Sequence, residues 1–196
     1  MKGLVNKSLC YCALAALLLG ACSKTPESPV AKTNPNPTQR YEITVELVGP
    51  PQDIREISGV AHFGVGTRAC LPYREKIARV TIGASYAREF PLVRVGDNTY
   101  KGHIFLDWPV DEDYYGLGIC KWEIATVDTV LTRKSRPVQA ADLVGNEVKS
   151  GYSNRSFCRR EMRDKFDKVC LTPIDSELIK KLEPVSYIVS MSSRKI

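Results

Sequence analysis

The sequence predicts a mainly β protein: a β-sandwich-like domain with one or two short helices, stapled by two disulfides. Three observations carry this. Apolar residues alternate with polar ones in short runs from Tyr41 onward. Gly- and Pro-containing turns punctuate those runs about every ten residues. Four cysteines remain once the N-terminal segment is set aside.

The strands follow in order. Ile43, Val45 and Leu47 alternate with Thr44 and Glu46, the period-two pattern of a half-buried strand. Ile77, Val80 and Ile82 lie in a second run, and Phe90 to Val95 form a third. Gly96-Asp97-Asn98 is a turn signal, and Tyr100 to Trp108 continues beyond it, so 90–108 reads as a hairpin. Cys120, Trp122 and Ile124 start a strand toward Val130, with Trp122 expected inside. Val185 to Met191 reads as the last strand.

Helical signals are few. Met162, Phe166 and Val169 are spaced i, i+4, i+7, and Glu161–Lys165 and Asp164–Lys168 are supporting i,i+4 pairs. Ile174 to Leu182 predicts a second short helix, capped by Asp175 or Ser176 and stopped near Pro184. About 155 residues follow residue 39, enough for one core.

The first 21 residues are read apart from the domain. Lys2 and Lys7 precede an apolar run from Leu9 to Leu19, too short to span a bilayer but suited to a secretory signal. The run ends in Leu19-Gly20-Ala21-Cys22, which resembles the lipobox of bacterial lipoproteins. The resemblance covers residues 1–22. It implies cleavage before Cys22, acyl chains on that cysteine and a permanent anchor. Lipoproteins kept in the inner membrane commonly carry Asp after the lipidated Cys. Ser23 stands there instead, which implies the periplasmic face of the outer membrane. Residues 22–39 contain Pro26, Pro29, Pro35 and Pro37 among Ser, Thr, Asn and Lys, so they read as an extended tether. Residues 40–196 are then the β-rich periplasmic domain.

With Cys10 and Cys12 removed and Cys22 acylated, Cys70, Cys120, Cys158 and Cys170 remain. An even number in an oxidising compartment suggests two disulfides, with three possible pairings. Cys70–Cys120 with Cys158–Cys170 is favoured. A continuous helix from 158 to 170 would hold those Cα atoms roughly 18 Å apart, and a disulfide needs less than about 7 Å. Either that segment turns back or the pairing differs. No C-x-x-C pair exists and the histidines are His62 and His103 alone, so zinc is not expected.

No nucleophile elbow and no phosphate-binding glycine loop is present, and no cofactor is expected. His103 and Asp107 are the nearest approach to half a triad, without a nucleophile beside them. The expectation is a protein that is not an enzyme.

Two charged features remain as candidate partner-binding surfaces. Asp111, Glu112, Asp113, Tyr114 and Tyr115 fall in an expected loop, where tyrosines offer contact area at low entropic cost. A solvated loop has the same composition, and calcium lacks the spaced D-x-D-x-D-G pattern. The second feature is basic. Residues 131–168 hold ten Lys/Arg against five Asp/Glu, and Arg155, Arg159, Arg160 and Arg163 are its densest part. Outside the cytoplasm, nucleic acid is not the expected partner; an acidic protein or anionic headgroups are.

Signal, Pro-rich tether, compact β domain and paired cysteines together resemble, in overall design, the lipoprotein immunity proteins that bacteria pair with secreted antibacterial effectors. The resemblance implies a binding protein that inhibits a secreted toxin by plugging its active site. A structural envelope or secretion-system lipoprotein, and a hydrolase, are the alternatives.

Overall fold

A computed structural model describes residues 27–75, 77–161 and 170–196. The signal residues 1–21, Cys22, Arg163 and the expected helix around Met162, Phe166 and Val169 lie outside the described residues.

The strict alternation along Arg40–Val48 makes β1, which turns Tyr41, Ile43, Val45 and Leu47 inward. The strands that follow are β2 (Ile54–Val65), β3 (Tyr73–Glu75), β4 (Val80–Thr81), β5 (Ser85–Pro91), β6 (Val93–Arg94) and β7 (Thr99–Phe105). Next come β8 (Trp122–Arg133), β9 (Arg136–Val144), helix α1 (Gly145–Ser150), β10 (Ser153–Arg159) and β11 (Cys170–Leu171). Helix α2 (Ser176–Leu182) and β12 (Ser186–Lys195) complete the chain. Asp175 caps α2, its carboxylate accepting the N–H of Glu177.

Every strand pair is antiparallel. One sheet has the order β11-β10-β12-β1-β7-β6 and the other β5-β2-β8-β9, with β3-β4 as a small separate ribbon. The two large sheets pack over one core. Ile43, Val45, Val189 and Met191 come from the first sheet, and Phe63, Val127, Leu131 and Leu143 from the second. Val148 of α1 joins that core, fully buried. This is the sandwich arrangement of paired antiparallel sheets.

Both disulfides form in the favoured pairing, Cys70–Cys120 and Cys158–Cys170. Cys158 of β10 stands opposite Cys170 of the antiparallel β11, with Cα atoms 4.0 Å apart, within the reach of a disulfide.

The run from Phe90 to Trp108 differs from one simple hairpin. The turn at 96–98 joins only the short β6 to β7. Phe90 belongs to β5, which pairs with β2 in the opposite sheet. The chain changes sheets at Leu92, and Phe90 lies over Gly59 of β2 and Gly102 of β7. A Cβ at Gly59 would stand 2.1 Å from the Phe90 ring. Those two glycines make room for the crossing.

The second run is also shorter than expected. Only Val80–Thr81 is strand, and Ile77 sits at the ribbon tip, 96% exposed. The basic stretch 131–168 contains β9, α1 and β10.

Candidate functional site

The two ends of the sandwich differ in chemistry. β8 connects them: it starts just after Cys120 and ends at Arg133, about 35 Å for twelve strand residues.

At the first end, the segment from residue 27 to 39 lies against the domain. It is pinned to the domain by hydrogen bonds. Lys32–Asn34 runs antiparallel to Trp108–Val110, with the Asn34 N–H donating to the Trp108 carbonyl at 2.7 Å. The Val110 N–H donates to the Lys32 carbonyl at 2.9 Å. The Asp107 carboxylate accepts the N–H groups of Thr38 and Gln39 at 2.8 and 3.0 Å, and the Thr38 hydroxyl at 3.1 Å. Burial works against ionisation of Asp107, but those donors outweigh it and hold its carboxyl below the usual range. Asp107 is therefore committed to this segment, and His103 faces Glu42 across β7 and β1.

The acidic loop is drawn into the same end. Asp111 accepts the Trp122 N–H at 2.8 Å. Glu112 pairs with Lys32 at 2.6 Å. The Asp113 carboxylate accepts the N–H groups of Tyr115, Leu117 and Gly118, closing the loop upon itself. Partial desolvation opposes its ionisation, yet these donors keep its carboxyl low. The Tyr114 hydroxyl donates to the Val110 carbonyl, and its ring packs edge-on to Trp122. The Tyr115 hydroxyl donates to the Glu27 carbonyl at 2.6 Å. Of the five residues expected to meet a partner, Glu112 and Tyr115 hold the entering segment, and Asp111, Asp113 and Tyr114 brace the loop itself. The signal that could have shown this, the run of polar residues at 32–39, has no local period.

The second end is basic. Arg133, 1% exposed, aligns its guanidinium with the Asp53 carboxylate at 3.0 and 3.2 Å. It also donates to the carbonyls of Arg159 and Arg160 at 2.9 and 2.7 Å, over the ring of Tyr187. Hydrogen bonding to Arg133 is the main cause that holds the Asp53 carboxyl low. Arg133 thus fixes the backbone from which Arg159 and Arg160 project. Arg160 reaches back to the Gly49 carbonyl at 2.8 Å. Arg159, Arg160, Glu161, Leu182 and Val185 line an open cleft of about 510 Å³. Arg155 and Arg159, four residues apart on β10, share one face of that strand. Arg155, Arg159 and Arg160 are all exposed. The sequence offered no sign that Arg133 differs from its basic neighbours.

His62 lies on the outer face of the second sheet, with Nε2 3.1 Å from Asp128. Burial pushes the Asp128 carboxyl up; His62 opposes this and Asp142, opposite it on β9, adds to it. Among the described residues no group of three or more His, Cys, Asp or Glu converges on a metal-sized site.

No protein-family model, no curated protein and no solved structure matches the chain.

Proposed function

We propose that the chain is a lipid-anchored periplasmic binding protein of the outer membrane, an immunity protein that binds and inhibits a secreted antibacterial effector. The lipobox-like Leu19-Gly20-Ala21-Cys22 supports the anchor, and the two disulfides suit an oxidising compartment.

The observation that carries the binding reading is the polarity of the sandwich. The N-terminal segment docks beside the start of β8, and Arg155, Arg159 and Arg160 gather toward the far end of the sheets. A protein anchored at the first end presents the arginine end to the periplasm. Its open cleft sets Arg159 and Arg160 beside Leu182 and Val185, and arginine is among the residues enriched where protein interfaces concentrate their binding energy. The buried Arg133–Asp53 pair holds that surface in one shape before any partner arrives. An acidic partner would be drawn to it by charge.

The test is binding of the full-length protein to the secreted product of the neighbouring gene. The expected result is a stoichiometric complex whose association slows with salt and weakens in Arg155→Glu with Arg159→Glu. A neighbourhood with no secreted toxin, and a deletion strain that stays resistant to its siblings, would sink the reading.

A further inference from the structure

The end of the molecule where the chain enters carries apolar side chains that the fold leaves in solvent. Ile77 stands at the tip of the β3-β4 ribbon, and Leu117 and Ile119 on the neighbouring loop are 51% and 58% exposed. The two elements are one unit: Cys70–Cys120 joins them, and Cys70, Leu71, Ile82 and Cys120 form a small core of their own, backed by Tyr114 and Tyr115. Gly116 and Gly118 have open space around them, so the tip of the 113–119 loop projects from this unit, while Tyr114 at its base packs on Trp122.

The charge beside these tips is basic where it is unengaged by the fold. Between Arg68 and Thr81 the sequence holds Arg68, Arg74, Lys76 and Arg79 against Glu75. Arg68, Arg74 and Arg79 are exposed. The nearby carboxylates of Asp111, Asp113 and Glu112 turn onto backbone N–H groups or Lys32. Apolar tips flanked by arginine are the composition of an element that lies in a bilayer interface.

The position of the chain entry selects the occupant. Tyr115 holds the Glu27 carbonyl beside this unit. Between Cys22 and Glu27 there are five residue steps, a reach of at most about 18 Å. A tether free from 22 to 39 would reach roughly 60 Å. The docking of 27–39 therefore brings the domain close to whatever carries Cys22.

We infer that the disulfide-joined unit of the β3-β4 ribbon and the 113–119 loop is a membrane-docking surface, seating Ile77, Leu117 and Ile119 in the interface of an anionic bilayer with Arg68, Arg74 and Arg79 at its phosphates. The inference rests on the lipid anchor proposed above. Lipid attachment and interfacial side chains then act as two linked contacts, and the arginine end points away from the bilayer by design of the fold.

The experiment uses the full-length protein, reconstituted in vesicles of phosphatidylethanolamine and phosphatidylglycerol. Ile77→Cys, Leu117→Cys and Val48→Cys each carry an environment-sensitive fluorophore. Val48 is exposed at the arginine end, where β1 meets Gly49. The expected result is blue-shifted emission at 77 and 117, lost when the acyl chains are brominated, with no change at 48. Adding Ile77→Asp to the Leu117→Cys protein should reduce that loss. Mass spectrometry of Cys22 separates the two readings. A lipidated Cys22 with unquenched labels at 77 and 117, or equal quenching at 48, overturns the docking alone. An unlipidated Cys22 overturns both. Labels that ignore lipid but shift when the secreted effector is added overturn the docking and make this unit the partner's surface.

Discussion

Asp107 and Thr38 are 69 residues apart in the chain, and the Asp107 carboxylate accepts both the backbone N–H and the hydroxyl of Thr38. With the Gln39 N–H this makes three hydrogen bonds to one charged group. They decide where a segment that has no core of its own comes to rest.

Asp107→Ala should release that segment. Thr38 and Gln39 are exposed, so water replaces part of what is lost, and the cost is about 1 kcal/mol. The check is faster amide hydrogen exchange at Thr38 and Gln39 and new proteolytic cleavage in 27–39, with the sandwich melting nearly unchanged. The pH dependence has a definite sign. The folded Asp107 carboxyl lies below its ordinary value of 3.8, so the bond contributes fully above that value. Its contribution is lost as pH falls through the lower, folded value. NMR shifts of the Thr38 and Gln39 amides should therefore move together below 3.8.

Arg133→Met should be among the most damaging single changes. It leaves the Asp53 carboxylate unpaired and two carbonyls, of Arg159 and Arg160, without their donor. Removing one partner of a buried pair costs about 3–5 kcal/mol. Asp53 keeps part of its surface in water, which places the loss toward the lower end. Arg133→Lys should recover only a fraction, because an ammonium cannot hold a carboxylate and two carbonyls with one planar fork. Urea unfolding of the two variants distinguishes them.

Gly59→Ala tests the crossing between sheets. The added Cβ meets the Phe90 ring, which also lies against Gly102 of the other sheet. Overpacking of this kind costs about 1–3 kcal/mol. Combining Gly59→Ala with Phe90→Leu should destabilise less than the sum of the two single changes, because the smaller side chain vacates the space the methyl needs. Thermal denaturation of the three variants measures that coupling.

Where a feature repeats within a few residues, the sequence makes it readable. Ile43, Val45 and Leu47 face the core because a strand turns successive side chains to opposite faces. Asp175 caps α2 because an aspartate before a short apolar run can reach an N–H two residues on. β2 was harder to see, since its inward positions include Gly59 and Ala61, small residues that leave little hydrophobic contrast.

The sequence by itself determined the β class and the four cysteines of the domain, and it narrowed the helix cap to Asp175 or Ser176, all of them properties of local spacing and count. Only the tertiary structure decided that 27–39 docks, that Glu112 and Tyr115 hold it, that Phe90 crosses sheets between two glycines, and that Arg133 is buried. Each of these depends on a partner tens of residues away in the chain. A polar side chain carries no local mark of whether its partner will be water or another segment; the fold decides by bringing that segment within hydrogen-bonding distance, as Asp107 does with Thr38.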